Sequence, residues 1–301
     1  MSAVPDRSLR KRFVRNRILR SLWANKKARF GLILVGFFAL IALFGPLIVG
    51  DPTAFDALPY SPPNGDLLLG STGQGQDVFA QTVIGARQTL WVAVVTGLGV
   101  VLLGAIVGGL AGYLGGWIDE VLSALINVFL VIPGLPLMVI LAAWMPPGPS
   151  TMIAVLILSG WAWNARVLRS QVLGIRHRDF VNASIVSGEP ALQVLFRDIL
   201  PNMLSLLMTC LIGATVYAIG AQVGLEFIGL GDPSAVTWGT NLYWARNDSA
   251  LLMGAWWTFV PTGVAIALVG FGLTLLNFGI DEITNPRLTK RPKKSTKGGP
   301  K

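Results

Sequence analysis

Catalysis needs side chains that ionise, attack or ligate, brought together in sets, and this sequence of 301 residues is poor in them. Its one histidine, His177, stands between Arg176 and Arg178. That is a surface histidine, around which no metal centre and no nucleophile–base pair can be assembled. The one cysteine, Cys210, lies inside an apolar run; it excludes an intrachain disulfide and reads as a small buried filler. Asp119 and Glu120 stand at the edge of an apolar run, where they are expected to be solvated. Glu226, in "GLEFIGLG", is the one carboxylate near the end of such a run. An ionisable group at membrane depth is a functional candidate by default. It is placed near the outer edge, within reach of water, and has two readings: a packing group, or a group lining a translocation path. No GxxxxGK[ST] loop is present to cradle a phosphate, so no cofactor is expected on this chain, and no catalytic or metal-binding set can be named. No Asp/Glu/His relay crosses an apolar run either. If this chain moves a solute uphill, the energy must arrive through contact with another chain.

The elements that would position these groups are set by composition. Hydrophobic residues make up 53% of the chain and charged residues 13%, with a mean hydropathy of +0.63. Soluble domains carry about 25% charged residues, so this is an all-α integral membrane protein. Runs long enough to cross a bilayer, ~20 residues each, fall at 30–49, 89–112, 120–144, 151–166, 204–229 and 255–280. The net charge of +9 is not spread as nucleic-acid binding requires. Of the 24 Lys and Arg residues, all but Arg87 and Arg246 fall in 1–29, 164–203 and 281–301. Six spans with the N-terminus inside place those three stretches on one face, as the positive-inside rule asks.

The organisation expected is therefore a basic cytoplasmic tail over 1–29 with a surface helix, a first span, an extracytoplasmic segment over 50–88, and a core over 89–280. A cytoplasmic loop occupies 167–203 and a cytoplasmic tail 281–301. Arg166 and Arg169 are placed to snorkel towards headgroups. Gly104, Gly108 and Gly112 leave one helix face bare, which permits close packing.

The loop contains "DFVNASIVSGEPALQVLFRDILPN", Asp179 to Asn202. Phe180, Ala183, Ile185 and Val186 give a short apolar face at helical period. Gly188 and Pro190 then break the chain, and a second helix is predicted from Ala191 to Ile199, carrying Leu192, Leu195, Phe196 and Ile199. An apolar-faced knob exposed to cytosol calls for a cover, supplied by a partner's groove or by the chain's own bundle.

"FVNASIVSG" followed by "DILPN" resembles the EAA loop of the permease subunits of bacterial ABC importers. Asn182, Ala183 and Ser184 occupy the Glu-Ala-Ala positions, Gly188 the glycine, and Leu200, Pro201 and Asn202 the ending. Asn182 replaces the usual acidic residue, and Asp198 stands where a basic one is usual. "LGSTGQGQDVFAQTVIGARQTL", "LEFIGLGDPSAVTWG" and "NPRL" resemble signatures of the dipeptide/oligopeptide (and nickel) branch, in its second-permease type; Gln76 and Gln81 stand where that branch has Arg.

The resemblance implies a homologous second permease subunit in a heterodimer, two cytoplasmic ATPase subunits carrying ATP and Mg, and an extracytoplasmic substrate-binding protein. Phe180 and the motif residues would couple the spans to ATP hydrolysis on those partners, with this chain not itself an enzyme. It implies a bacterial cell membrane location with both termini cytoplasmic, and peptides as the default substrate of a branch that includes nickel and oligosaccharide importers. The rival reading is a stand-alone six-span channel or secondary transporter, which would need ion-coupling groups at the midplane and no exposed knob. A membrane-embedded enzyme would need a catalytic cluster.

Overall fold

The computed structural model describes residue 23 and residues 25–284. Most of the basic N-terminal tail with its expected surface helix, the NPRL stretch and the C-terminal tail lie outside the described residues. Helix α1, Lys26–Phe44, starts where the Asn25 side chain accepts from the backbone of Lys27 and Ala28. It runs into a 3-10 turn, Gly45–Leu47, opened by Pro46. Helix α2, Val78–Leu114, is capped by the Asp77 carboxylate on the Phe79 N–H and stops at Gly115, φ +69°. At 1.5 Å per residue it is about 55 Å long, nearly twice the hydrocarbon thickness. The helix therefore begins at Val78, eleven residues before the expected start of the second span at 89, because nothing between Asp77 and Gly115 breaks it.

The third span departs from expectation more sharply. Helices α3, Gly116–Val131, and α4, Gly134–Trp144, are bent by 88° at their junction. Pro133 has no N–H to continue the ladder and holds Ile132 extended, at φ −66° and ψ 126°. Helix α5, Pro149–Ile175, begins on a proline at its first turn and runs nine residues past the expected end of the fourth span. The loop after it thus starts near Arg176, not residue 167. After the loop come α9, Leu204–Phe227, α10, Trp238–Asn247, and α11, Val260–Thr284. Five helices are long and apolar enough to cross a membrane, six with the bent pair, and no strand occurs among the described residues.

Small residues bring the helices together. A Cβ on Gly108 would overlap the Ala165 carbonyl, and one on Gly112 would crowd the Arg169 carbonyl and Val172. The bare face of α2 is therefore filled by the backbone of α5. Gly97 meets Thr215 of α9 in the same way, and Gly31 of α1 meets the backbone of α11. At the end of the bundle that bears the loop, polar locks fix the helix ends. Asp119 takes two hydrogen bonds from Arg169, at 2.6 and 2.7 Å, and Arg166 donates to Asn127 at 2.7 Å. Neither arginine is a free snorkelling group, and Asp119 is a lock between α3 and α5 instead of a solvated end. Lys27 and Asn25 bind Glu282 at 2.5 and 2.7 Å, joining α1 to α11.

At the opposite end, residues 48–77 form a strap over the bundle. Its Tyr60 hydroxyl donates to the Asp248 carbonyl, and Trp257 Nε1 donates to Ser71. Helix α10 folds back along the outer part of α2. The Trp238 indole is fully buried, donates to the Thr82 carbonyl at 2.9 Å and meets Phe38 edge-on.

Candidate functional site

The loop between α5 and α9 is a knob with two faces. Helix α6, Asp179–Val186, ends in a tight reversal: the Gly188 N–H donates to Ile185 and the Glu189 N–H to Ser184. Gly188 sits at φ +78°, the left-handed region, with open space where a Cβ would be. A glycine is thus required by backbone conformation, not by crowding. Pro190 then starts a second arm: α7, Ala191–Gln193, a π-helical stretch Val194–Ile199, and α8, Leu200–Asn202. The expected regular helix over 191–199 is therefore widened. Pro201 has no N–H for the carbonyl of Arg197, and the i→i+5 pattern upstream accommodates it.

The inner face docks on the chain's own bundle. Val181, Val194, Leu195 and Ile199 are fully buried in one cluster with Ala105 of α2 and Leu168 and Val172 of α5, and Leu195 faces Gly109 of α2. Cys210 of α9 packs, half-buried, at the edge of that cluster. The single outward face expected from the sequence is thereby corrected: Leu195 and Ile199 point in, joined by Val181 and Val194, which the pattern did not single out. Phe180, Ile185, Leu192 and Phe196 remain exposed, and Val186 is 88% exposed.

Polar groups fix the angle between the arms. Ser184 Oγ donates to Asp198 Oδ2 at 2.9 Å, across the bend. Asp198, standing where a basic residue is usual in the resembling loops, thus holds the knob's own shape. Asn202 Nδ2 donates to the Asp198 carbonyl at 2.6 Å, and Asn182 Nδ2 reaches the His177 carbonyl at 3.5 Å. Ala183 and Asn182 are exposed on the outward side; Leu200 is buried, and Pro201 is exposed where the arm meets the bundle. His177 Nε2 accepts from Arg176 Nε at 2.9 Å, and Arg176 also reaches the Gly112 carbonyl at 3.2 Å. The structure brings Asn182, Ala183, Ser184 and Gly188 together on one projecting arm; Leu200, Pro201 and Asn202 form its root.

Glu226 lies far from this knob and is not within easy reach of water, as its place in the sequence suggested. It is only 6% exposed. Its carboxylate accepts from Thr237 Oγ1 at 2.6 Å, from Gln222 Nε2 at 2.9 Å and from the backbone N–H of Gly239. Thr237 caps α10 and Gly239 is in its first turn, so the anion sits on the positive end of a helix. Any Cβ on Gly231 or Gly239 would collide with the Glu226 side chain. Glu226 thus clamps α10 to the end of α9. Three or more His, Cys, Asp or Glu side chains that could share a metal do not occur together among the described residues.

Comparison with known proteins bears on this arrangement. The profile of the family described as "Binding-protein-dependent transport system inner membrane component" matches residues 100–290. A second, described as "N-terminal TM domain of oligopeptide transport permease C", matches residues 7–68. The dipeptide transport system permease protein DppC of Bacillus subtilis is 32% identical over 276 residues, covering 90% of this chain and 85% of that protein. The oligopeptide transport system permease protein OppC of the same organism is 29% identical, over 89% of this chain and 88% of that protein. A putative peptide transport system permease protein of Brucella abortus is 30% identical, over 89% and 90% respectively.

Proposed function

This chain belongs to the family of binding-protein-dependent transport system inner membrane components, and from that premise we propose that it is the second-type permease subunit of an ATP-driven importer of peptides. Its spans form half of a path across the bacterial cell membrane, and a homologous permease supplies the other half. Two ATPase subunits bind and hydrolyse ATP with Mg on the cytoplasmic side, and a substrate-binding protein delivers peptide on the other. This chain carries no catalytic step. Peptide as substrate rests on the names of the relatives, several of which are dipeptide or oligopeptide permeases.

The observation that carries the coupling role is the two-faced knob. Its inner face is locked to the bundle by the fully buried Val181, Val194, Leu195 and Ile199, while its outer face leaves Phe180, Ile185, Val186, Leu192 and Phe196 without cover. A rigid, apolar projection fits a groove on a partner. Because the knob's buried face joins a cluster with α2 and α5 and its second arm leads directly into α9, movement of that groove becomes rigid-body movement of those spans. The knob carries Arg176, Arg178 and Arg197, and this basic cluster supports a cytoplasmic side for it and, with the basic tails of the sequence, for both termini.

Reconstitution tests the reading. Vesicles holding this chain, the second permease and the ATPase subunits should accumulate a labelled dipeptide or oligopeptide only when ATP and the binding protein are both supplied. Uptake by this chain alone, without ATP, would show a stand-alone channel and overturn it.

A further inference from the structure

The break between α3 and α4 is the place where this fold contradicts the solvent that surrounds it. Val131 lies twelve residues beyond Asp119, about 18 Å along the helix, and Asp119 is fixed at the loop end of the bundle by Arg169. With α3 and α4 taken together as one broken span, the break falls within the hydrocarbon depth. There the backbone loses its partners. Pro133 offers no N–H to the Phe129 carbonyl, and Gly134 and Leu135 open a new helix whose first N–H groups have no acceptor among the described residues. The Ile132 N–H still reaches Val128 and the Leu137 N–H reaches Pro133. The remaining carbonyls of Leu130, Val131 and Ile132 have no such closure.

Irregular backbone at this depth is tolerated only inside protein or along water, never against lipid. Here it is not inside this protein: Val131 is 82% exposed, Leu135 66%, and Pro133 and Gly134 are exposed between them. A second observation comes from the same helix face. Asn127, four residues before Val131, is exposed and accepts from the exposed guanidinium of Arg166. An amide, a cation and an opened backbone thus share one side of α3, flanked by apolar Val128 and Ile132.

We propose that this face of the broken third span lines a water-filled translocation path, with the opened turn Val131–Leu135 as a polar step part-way across the membrane. The assignment rests on the permease reading above and adds the wall on which the path runs. Free carbonyls and N–H groups there offer the transient hydrogen bonds that a peptide backbone can accept and give, without a charged side chain to hold it.

Single cysteines at Ile132, Gly134 and Leu135, each in the full chain with Cys210→Ser and in vesicles with all partner subunits, test the assignment. Each is treated with a charged methanethiosulfonate and, separately, with membrane-permeant N-ethylmaleimide. A Phe37→Cys control sits on an exposed apolar face of α1. At least one of the three should react with the charged reagent tenfold or more faster than Phe37→Cys, and excess peptide-loaded binding protein with ATP should change that rate. Reaction with the permeant reagent alone would put the break beyond the reach of an open aqueous path, and reaction with neither would put it in lipid or in a dry contact between subunits, where no thiolate forms. Either result overturns the proposal. Total thiol in the washed membrane fraction after denaturation confirms insertion of each variant, and Leu135→Cys, which leaves the glycine in place, keeps the test open if Gly134→Cys fails to insert. Copurification of the ATPase subunits from the same vesicles is read separately, so a failure of the importer reading is distinguishable from a failure of this one.

Discussion

Replacing Gly188 by valine should disconnect the knob from ATP hydrolysis while leaving the spans intact. The magnitude follows from two competing terms. At φ +78° a non-glycine residue costs on the order of 1–3 kcal/mol, a β-branched one falling at the upper end. Nothing lies within 4 Å of the added Cβ, so no packing term offsets or worsens that cost. Against it, α6 is held by one fully buried side chain, Val181, and by the Ser184–Asp198 hydrogen bond. Burial of a valine contributes roughly 1.5–2 kcal/mol and a hydrogen bond to a charged group about 1.5–3. The terms are comparable, so α6 tilts or frays and the chain does not unfold. A penalty of about 2–3 kcal/mol corresponds to roughly a 30- to 150-fold loss of the docked shape. ATPase activity of the reconstituted transporter, titrated with peptide-loaded binding protein, should show at least a tenfold loss of stimulation. Gly188→Ala should fall between, and Gly188→Asn should stay near wild type, because asparagine tolerates the left-handed region. Wild-type stimulation with valine would refute the reasoning. So would asparagine as damaging as valine, since that would locate the effect in surface bulk and not in backbone conformation.

Three further outcomes follow from the packing and the charges. Glu226→Leu leaves the Thr237 hydroxyl and the Gln222 amide buried without their acceptor, about 1–3 kcal/mol each, and should lower the melting temperature in detergent more than Glu226→Gln; uptake that varied with substrate charge in Glu226→Gln would instead put the carboxylate on the path. Gly108→Ala, which drives a Cβ into the Ala165 carbonyl, should destabilise by about 1–3 kcal/mol, whereas Gly36→Ala, with nothing within 4 Å, should be neutral or stabilise by up to about 1 kcal/mol; equal effects on yield and thermal stability would contradict the α2–α5 contact. Burial raises the pKa of Asp248, at the end of α10 facing Tyr60 and Gln74 of the strap, above its ordinary value, so the folded chain binds that proton more tightly than the unfolded chain. Its contribution is full below the ordinary pKa and is lost as pH rises through the raised one, and protease protection of residues 48–77 should fall as pH rises from about 4, with the dependence removed in Asp248→Asn.

Run length was enough to read an all-helical chain of apolar, membrane-length elements, because the bilayer imposes that length, and the structure has five such helices, six with the bent pair. Run length could not see the break at Pro133. "VIPGLP" sits in a run whose composition stays apolar throughout, and a hydropathy count is blind to a missing N–H. The early start of α2 was hidden for the opposite reason: Gln81, Thr82, Arg87 and Gln88 read as aqueous, yet Gln81 is buried and Thr82 supplies the carbonyl that Trp238 needs. In the knob, helical period found the apolar residues but assigned them one face. Two faces exist because both arms pack on the bundle, and only the tertiary contact decides that Leu195 turns in, towards Gly109 of α2, while Leu192 turns out. Glu226 could be singled out as a carboxylate at depth. Its partners Thr237 and Gly239 are 11 and 13 residues away across an irregular turn, with no local spacing to announce them.

Cross-linking from the knob tests the central claim most directly. In the full transporter carrying Cys210→Ser, Val186→Cys places a thiol on the most exposed residue of the outer face, and Val181→Cys places one on the buried inner face. A short bifunctional thiol reagent, applied with cysteines introduced one at a time around the ATPase subunit's membrane-facing groove, should join Val186→Cys to that subunit, with a yield that changes between ATP-bound and nucleotide-free states. Val181→Cys should give no such product. Equal yields from both positions, or none from Val186→Cys in a complex that still transports, would contradict the coupling role of the loop.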